Sequence, residues 1–167
     1  MNKDELVLLY EYNRWANARV LAACRQISQE QLFAPAQASF GSLMGTLAHI
    51  YTTERFWRLR LQERISPERL ASAADFASLA ALAADWQAEE ARMQAFLEAL
   101  QESGTDQWID YITTSGKPQG STLWKALLHV VFHGMQFRAE AGAVLGALGH
   151  SPGDLDLIYF LRDTNQR

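Results

Sequence analysis

Leu127-Leu128-His129-Val130-Val131-Phe132-His133-Gly134-Met135-Gln136-Phe137-Arg138 carries two of the chain's four histidines, four residues apart. On a helix that spacing stacks both rings on one face, one turn apart. Two imidazoles so placed can share a divalent metal when another element supplies a third ligand. The surrounding apolar run reads as helix. The rest of the chain reads as further helices, one of which carries His49, the candidate third ligand.

Working outward, residues 2–26 repeat apolar positions at threes and fours: Leu6, Leu9, Tyr10, Val20, Cys24 and Ile27. Asn13 and Asn17 interrupt that stripe, either as partly exposed amides or as the lining of a polar cavity. Ser28-Gln29-Glu30-Gln31 reads as a capping box, and Pro35 marks a loop. A second long helix is expected over residues 41–63, with Leu43, Leu47, Ile50, Trp57 and Leu61 as its stripe and Glu54 on the same side. His49 lies one residue off that stripe, in a row with Gly45, Thr53 and Phe56. Pro67 closes the element, and Asp75 offers a cap for a third helix over residues 76–102, ended by Ser103-Gly104. Residues 108–114 are β-like, with a turn at Ser115-Gly116-Lys117-Pro118. Ser121 or Thr122 then caps a fourth helix running to Leu148, and Asp154 caps a short last helix over residues 155–162. Four long helices with modest loops imply an all-α four-helix bundle, with the Pro67 region as a longer connection.

Composition narrows the function. The 167 residues are 49% apolar, enough for one domain over residues 1–167 with a sizeable core. Fifteen Lys and Arg stand against nineteen Asp and Glu, a net charge of −4. No basic stripe interleaves with aromatics, so nucleic acid is not expected as a partner. The single cysteine, Cys24, allows no intrachain disulfide, which suits a reducing cytoplasm. No signal-peptide core is visible, and no apolar run reaches the ~18 residues of a membrane span.

The polar residues near the histidines have bland readings as well as functional ones. His150 follows Gly149 and reads as solvated surface. Glu140, seven residues after His133, is either an acceptor for a histidine ring N–H or a solvated glutamate. Arg138 is either an anion clamp or half of an ion pair at the end of the bundle.

Several stretches together resemble the DinB/YfiT-like superfamily. Tyr12-Asn13-Arg14-Trp15-Ala16-Asn17 is similar to its first-helix signature. Ser39-Phe40-Gly41-Ser42-Leu43 through Leu47-Ala48-His49-Ile50 resembles its second-helix motif, and His129 through Arg138 its fourth-helix motif. Leu148-Gly149 followed by Asp154-Leu155-Asp156 looks like its C-terminal ending. The resemblance implies a left-handed bundle in up-down-down-up order, often a homodimer. It also implies a three-histidine site for a divalent metal, usually zinc or nickel. His49 and His133 match two of the ligands, and the third would fall at position 137, where this chain has Phe137. Two outcomes are open. His129, ~6 Å along the helix axis from His133, completes a displaced site, or the site has no metal and is a mostly apolar pocket.

Two functions follow from the resemblance. One is a metal-dependent enzyme of thiol-transfer or hydrolytic type, with His49, His133 and His129 as ligands and a small-molecule or thiol substrate. The other is a metal-free dimeric protein that binds a small molecule on the same bundle. Five tryptophans and eight phenylalanines in so short a chain favour a homodimer in either case.

Overall fold

A computed structural model describes residues 1–164. In chain order the regular elements are α1 (Lys3–Cys24), α2 (Gln29–Phe33), α3 (Leu43–Arg58), α4 (Leu79–Ala99), β1 (Trp108–Ile112), β2 (Pro118–Thr122), α5 (Leu123–Ala147) and α6 (Leu157–Asp163). A π-helical turn, Leu59–Glu63, prolongs α3 and stops at Arg64, whose φ of 59° is left-handed. No helix among the described residues is long and apolar enough to cross a membrane.

The direction of each long helix follows from which residues share a core. One apolar cluster takes Val20 and Cys24 from the end of α1 and Leu43 and Leu47 from the start of α3. It also takes Leu82 and Trp86 from the start of α4, and Ala141 and Leu145 from the end of α5. The second cluster takes the opposite ends: Leu6 and Tyr10, Leu61, Met93 and Leu97, Leu123 and Leu127. The order is therefore up-down-down-up. α1 and α3 each pack against both α4 and α5, which puts α1 and α3 on one diagonal. Because α3 and α4 run parallel, the chain between them must return along the bundle, and residues 64–78 make that crossing.

The helix starts differ from the sequence expectation where backbone or loop contacts take over the cap. Asn2 and Glu5 form a capping box on α1, and Ser28 and Gln31 form the expected one on α2. Asp75 does not cap α4: its carboxylate accepts from the Ser72 N–H and pairs with Arg69 in a separate tight turn. Buried Phe76 then holds the chain extended, and α4 starts at Leu79 with Ser78 Oγ accepting from the Ala81 N–H. At α5, Ser121 and Thr122 belong to β2 and neither side chain caps the helix. The carbonyls of Gln107 and Thr105 accept from the N–H groups of Leu123 and Trp124 instead, so the segment leading into the hairpin satisfies these orphan donors. α6 begins at Leu157 rather than Leu155, and Asp154 lies outside it.

A polar hub occupies the middle of the bundle and joins all four long helices. Arg138 Nη1 donates to Asn13 Oδ1 at 2.6 Å and Asn17 Oδ1 at 2.8 Å. Asn13 Nδ2 and Asn17 Nδ2 donate to Glu54 Oε1 at 2.7 and 3.1 Å, and Trp86 Nε1 donates to Glu54 Oε2 at 2.7 Å. Arg138 is only 1% exposed, so it is neither a surface ion pair at the bundle end nor a clamp for a soluble anion. The two amides belong to this buried network. Gly134 makes it sterically feasible: a Cβ there would sit 2.6 Å from Arg138 Nη1 and 2.9 Å from Asn13 Oδ1. Asn17 Nδ2 also donates to Glu90, whose carboxyl is pushed up to about 7 by burial and by the neighbouring Glu54.

A buried charge stripped of its partner costs on the order of 3–5 kcal/mol. Arg138→Met should therefore destabilise by about that much, and a double-mutant cycle with Glu54→Gln should give a coupling of about 1–3 kcal/mol. Denaturant unfolding of the four proteins measures it. A coupling near zero would mean that the hub residues act independently.

Candidate functional site

The site forms where the antiparallel helices α3 and α5 face each other. His129, His133 and Phe137 fall in one row of α5, a turn apart from each other, as their spacing requires. α3 supplies His49. The Nε2 atoms of His49 and His133 are 2.8 Å apart, a direct hydrogen bond in which one ring donates and the other accepts. Phe137 packs against both, with ring centroids 4.7 Å from His49 and 4.6 Å from His133. Phe40 stacks face to face on His49 at 3.8 Å and 21°, while Phe137 meets that ring edge-on. That stacking depends on Gly45, because a Cβ there would fall 2.3 Å from the Phe40 carbonyl oxygen. His129 is exposed and sits to one side: its ring is 5.9 Å from His133 and edge-on to Trp57 at 5.3 Å. Among the described residues, no three His, Cys, Asp or Glu side chains are grouped so as to hold a metal ion.

Electrostatics keep the pair uncharged. Burial, then repulsion from His49, His129 and Arg138, lowers the His133 ring to about 3. Burial also lowers His49, partly offset by Glu140, and lowers His129. Glu140 is neither free in solvent nor bonded to a histidine ring. Its carboxylate accepts from the Ser39 N–H and Oγ at 2.9 and 2.6 Å and from Thr46 Oγ1 at 3.1 Å. Burial opposes ionisation there, yet these bonds and nearby His49 hold the carboxyl below its ordinary value. Glu140 thus pins the loop that carries Phe40.

Beside the pair lies an open cleft of about 260 Å³, lined by Thr53, Trp57 and Arg60 of the α3 segment, Tyr111 of β1, and His129 and His133. The row Thr53, Phe56 and Arg60 continues from His49 at helical spacing, so this wall could have been read from periodicity. Tyr111 and Phe40 could not, since each reaches the site from a non-helical segment whose path no local pattern specifies.

An up-down-down-up bundle with a histidine pair between its second and fourth long helices defines the class. The chain belongs to the DinB family, whose sequence model matches residues 1–167. It is similar to Protein DinB from Bacillus subtilis (strain 168), 25% identical over 164 residues and 95% of each chain. Among solved structures it is similar to YfiT from Bacillus subtilis, described as a probable metal-dependent hydrolase with an unusual four-helix bundle topology. That likeness has a TM-score of 0.65 at 19% identity and covers 89% of each chain, which establishes the shared fold.

The sign of the pH effect at His133 is set by its lowered value. An unfolded ring takes its proton near 6.5 and the folded ring near about 3, so acid favours the unfolded chain between them. The contribution of His133 is fully present above 6.5 and is lost as pH falls toward about 3. Ring-proton NMR should find His133 neutral down to about pH 4.5, and His133→Phe should flatten the acid limb of the stability curve. A midpoint near 6.5 would contradict the burial and repulsion assigned here.

Proposed function

We propose that this DinB-family protein binds a small organic molecule in the cleft beside His49 and His133 and does so without a metal ion. Phe137 carries the reading. A catalytic zinc takes three protein ligands and keeps a fourth position open. Here two imidazole nitrogens converge and the third corner is filled by a buried phenyl ring, 8% exposed, which has no lone pair to give. His129 is turned toward Trp57. The donor set does not fit a three-histidine metal centre. What remains is a neutral, hydrogen-bonded imidazole pair at the edge of an aromatic cleft. It offers a ligand the His133 ring beside the aromatic wall of Trp57 and Tyr111.

A second reading has one observation in its favour. The two Nε2 atoms face each other and both rings are held neutral, the form in which imidazole ligates. YfiT's description as a probable metal-dependent hydrolase points the same way. On this reading the protein is a thiol-transfer or hydrolytic enzyme in which His49 and His133 hold zinc or nickel, with His129 or the substrate completing the set.

The homodimer belongs to the proposal as well. Phe132 and Met135 of α5 are 54% and 49% exposed, as an interface would require. Light scattering should then find twice the 18.8 kDa chain mass.

Metal analysis separates the two readings. Gently purified protein should carry less than about a tenth of an equivalent of zinc or nickel, not raised by adding either. Phe137→His should bind about one equivalent, at least ~100-fold more tightly than the parent chain. A stoichiometric metal in the parent chain, with a fall in Tm on chelation, would overturn the metal-free reading.

A further inference from the structure

Arg60 is a buried cation with no acidic partner among the described residues. The residue is 6% exposed, at the π-helical turn that ends the α3 segment. Its Nη2 donates to the Ile112 carbonyl at 3.0 Å, and its buried Nε has no hydrogen-bond partner. No Asp or Glu pairs with it among the described residues. The charge is held instead between three aromatic faces, Phe56 at 5.5 Å and Trp57 and Tyr111 each at 5.1 Å. Buried Arg58 pairs directly with Glu89 and Glu63. Arg138 also leaves Nε and Nη2 without partners, but it lies inside the hub, where two amides link it to Glu54. A guanidinium carries five donors in a planar fork suited to a carboxylate. One backbone carbonyl uses only one of them, and aromatic faces supply no acceptor.

The placement of Arg60 gives this a direction. The side chain lines the same cleft as His129 and His133. The hairpin is tied over that cleft by Ile112, whose N–H donates to Ser66 Oγ and whose carbonyl takes the Arg60 bond. We propose that the cleft is a carboxylate site: a small aromatic or apolar acid seats its carboxylate on Arg60, lies against Trp57 and Tyr111, and reaches His133 with its other end. The volume, about 260 Å³, sits just under the ~300 Å³ lower end of small-molecule pockets, so the ligand is compact. Aromatic walls favour a carboxylate over the more strongly hydrated phosphate. The anion seat itself follows from Arg60. Naming its occupant as the protein's ligand rests on the small-molecule reading above.

The test uses the full chain after chelator treatment, so that no metal can hold the acid. Phenylacetate, phenylacetamide and inorganic phosphate are titrated separately while the Trp57 indole N–H resonance and Tm are followed. Phenylacetate should shift both saturably, and the amide and phosphate should bind at least tenfold more weakly. Arg60→Gln should lose at least tenfold in phenylacetate affinity, and Arg60→Lys less. Equal binding of acid and amide, no binding of the acid, tighter binding of phosphate, or an unchanged Arg60→Gln each overturns the proposal. If Arg60→Gln does not fold, the comparison of acid and amide on the parent chain decides. A stoichiometric metal found alongside Arg60-dependent acid binding would remove the metal-free reading and leave this one. No acid binding would remove this one alone.

Discussion

The buried hub around Glu54 is the constraint on which the arrangement depends. Apolar packing alone would let four helices slide past one another at modest cost, because leucine and alanine stripes accept several registers. A carboxylate fed by Asn13, Asn17 and Trp86, and balanced by Arg138 through the same amides, accepts one. Its members come from α1, α3, α4 and α5, so satisfying them sets the axial position of every long helix. His49 lies five residues before Glu54, and His133 five before Arg138. Their meeting at 2.8 Å is a consequence of that register.

The same register explains why position 137 matters so much. One turn along α5 from His133, any residue there faces the His49 ring. A phenyl ring in that place trades coordination for contact: it packs on both imidazoles and on Phe40, and joins a ring cluster that runs on through His133 and His129 to Trp57 and Tyr111. Burial in this apolar surround is what depresses the histidines, and it leaves Arg60 as the nearby charge that a ligand could answer.

Much of this was readable from residue order. The helical periods of Leu43, Leu47 and Ile50, and of Leu127, Val130 and Val131, located the two helices that matter. The spacing of His129, His133 and Phe137 put them in one row, and the resemblance to the DinB/YfiT-like superfamily anticipated the helix order and the facing of His49 and His133. The failures share a cause. Arg138 reads as an anion clamp or half of an ion pair at the end of the bundle, and nothing local reveals that Gly134 opens a path for its side chain to Asn13 and Asn17. The caps of α4 and α5 differ from the sequence expectation because Phe76 burial and the carbonyls of Thr105 and Gln107, tertiary contacts, override a well-placed Asp or Ser. Arg60 and Tyr111 meet only through the tertiary fold.

The central claim is that Phe137 leaves two histidines bonded to each other where a metal centre would need three ligands. A crystal structure grown in excess zinc or nickel, with anomalous data at the metal edge, tests it most directly. The account predicts no anomalous peak between His49 and His133, and Nε2 atoms still within hydrogen-bond distance. A peak about 2.0–2.1 Å from both nitrogens would contradict it.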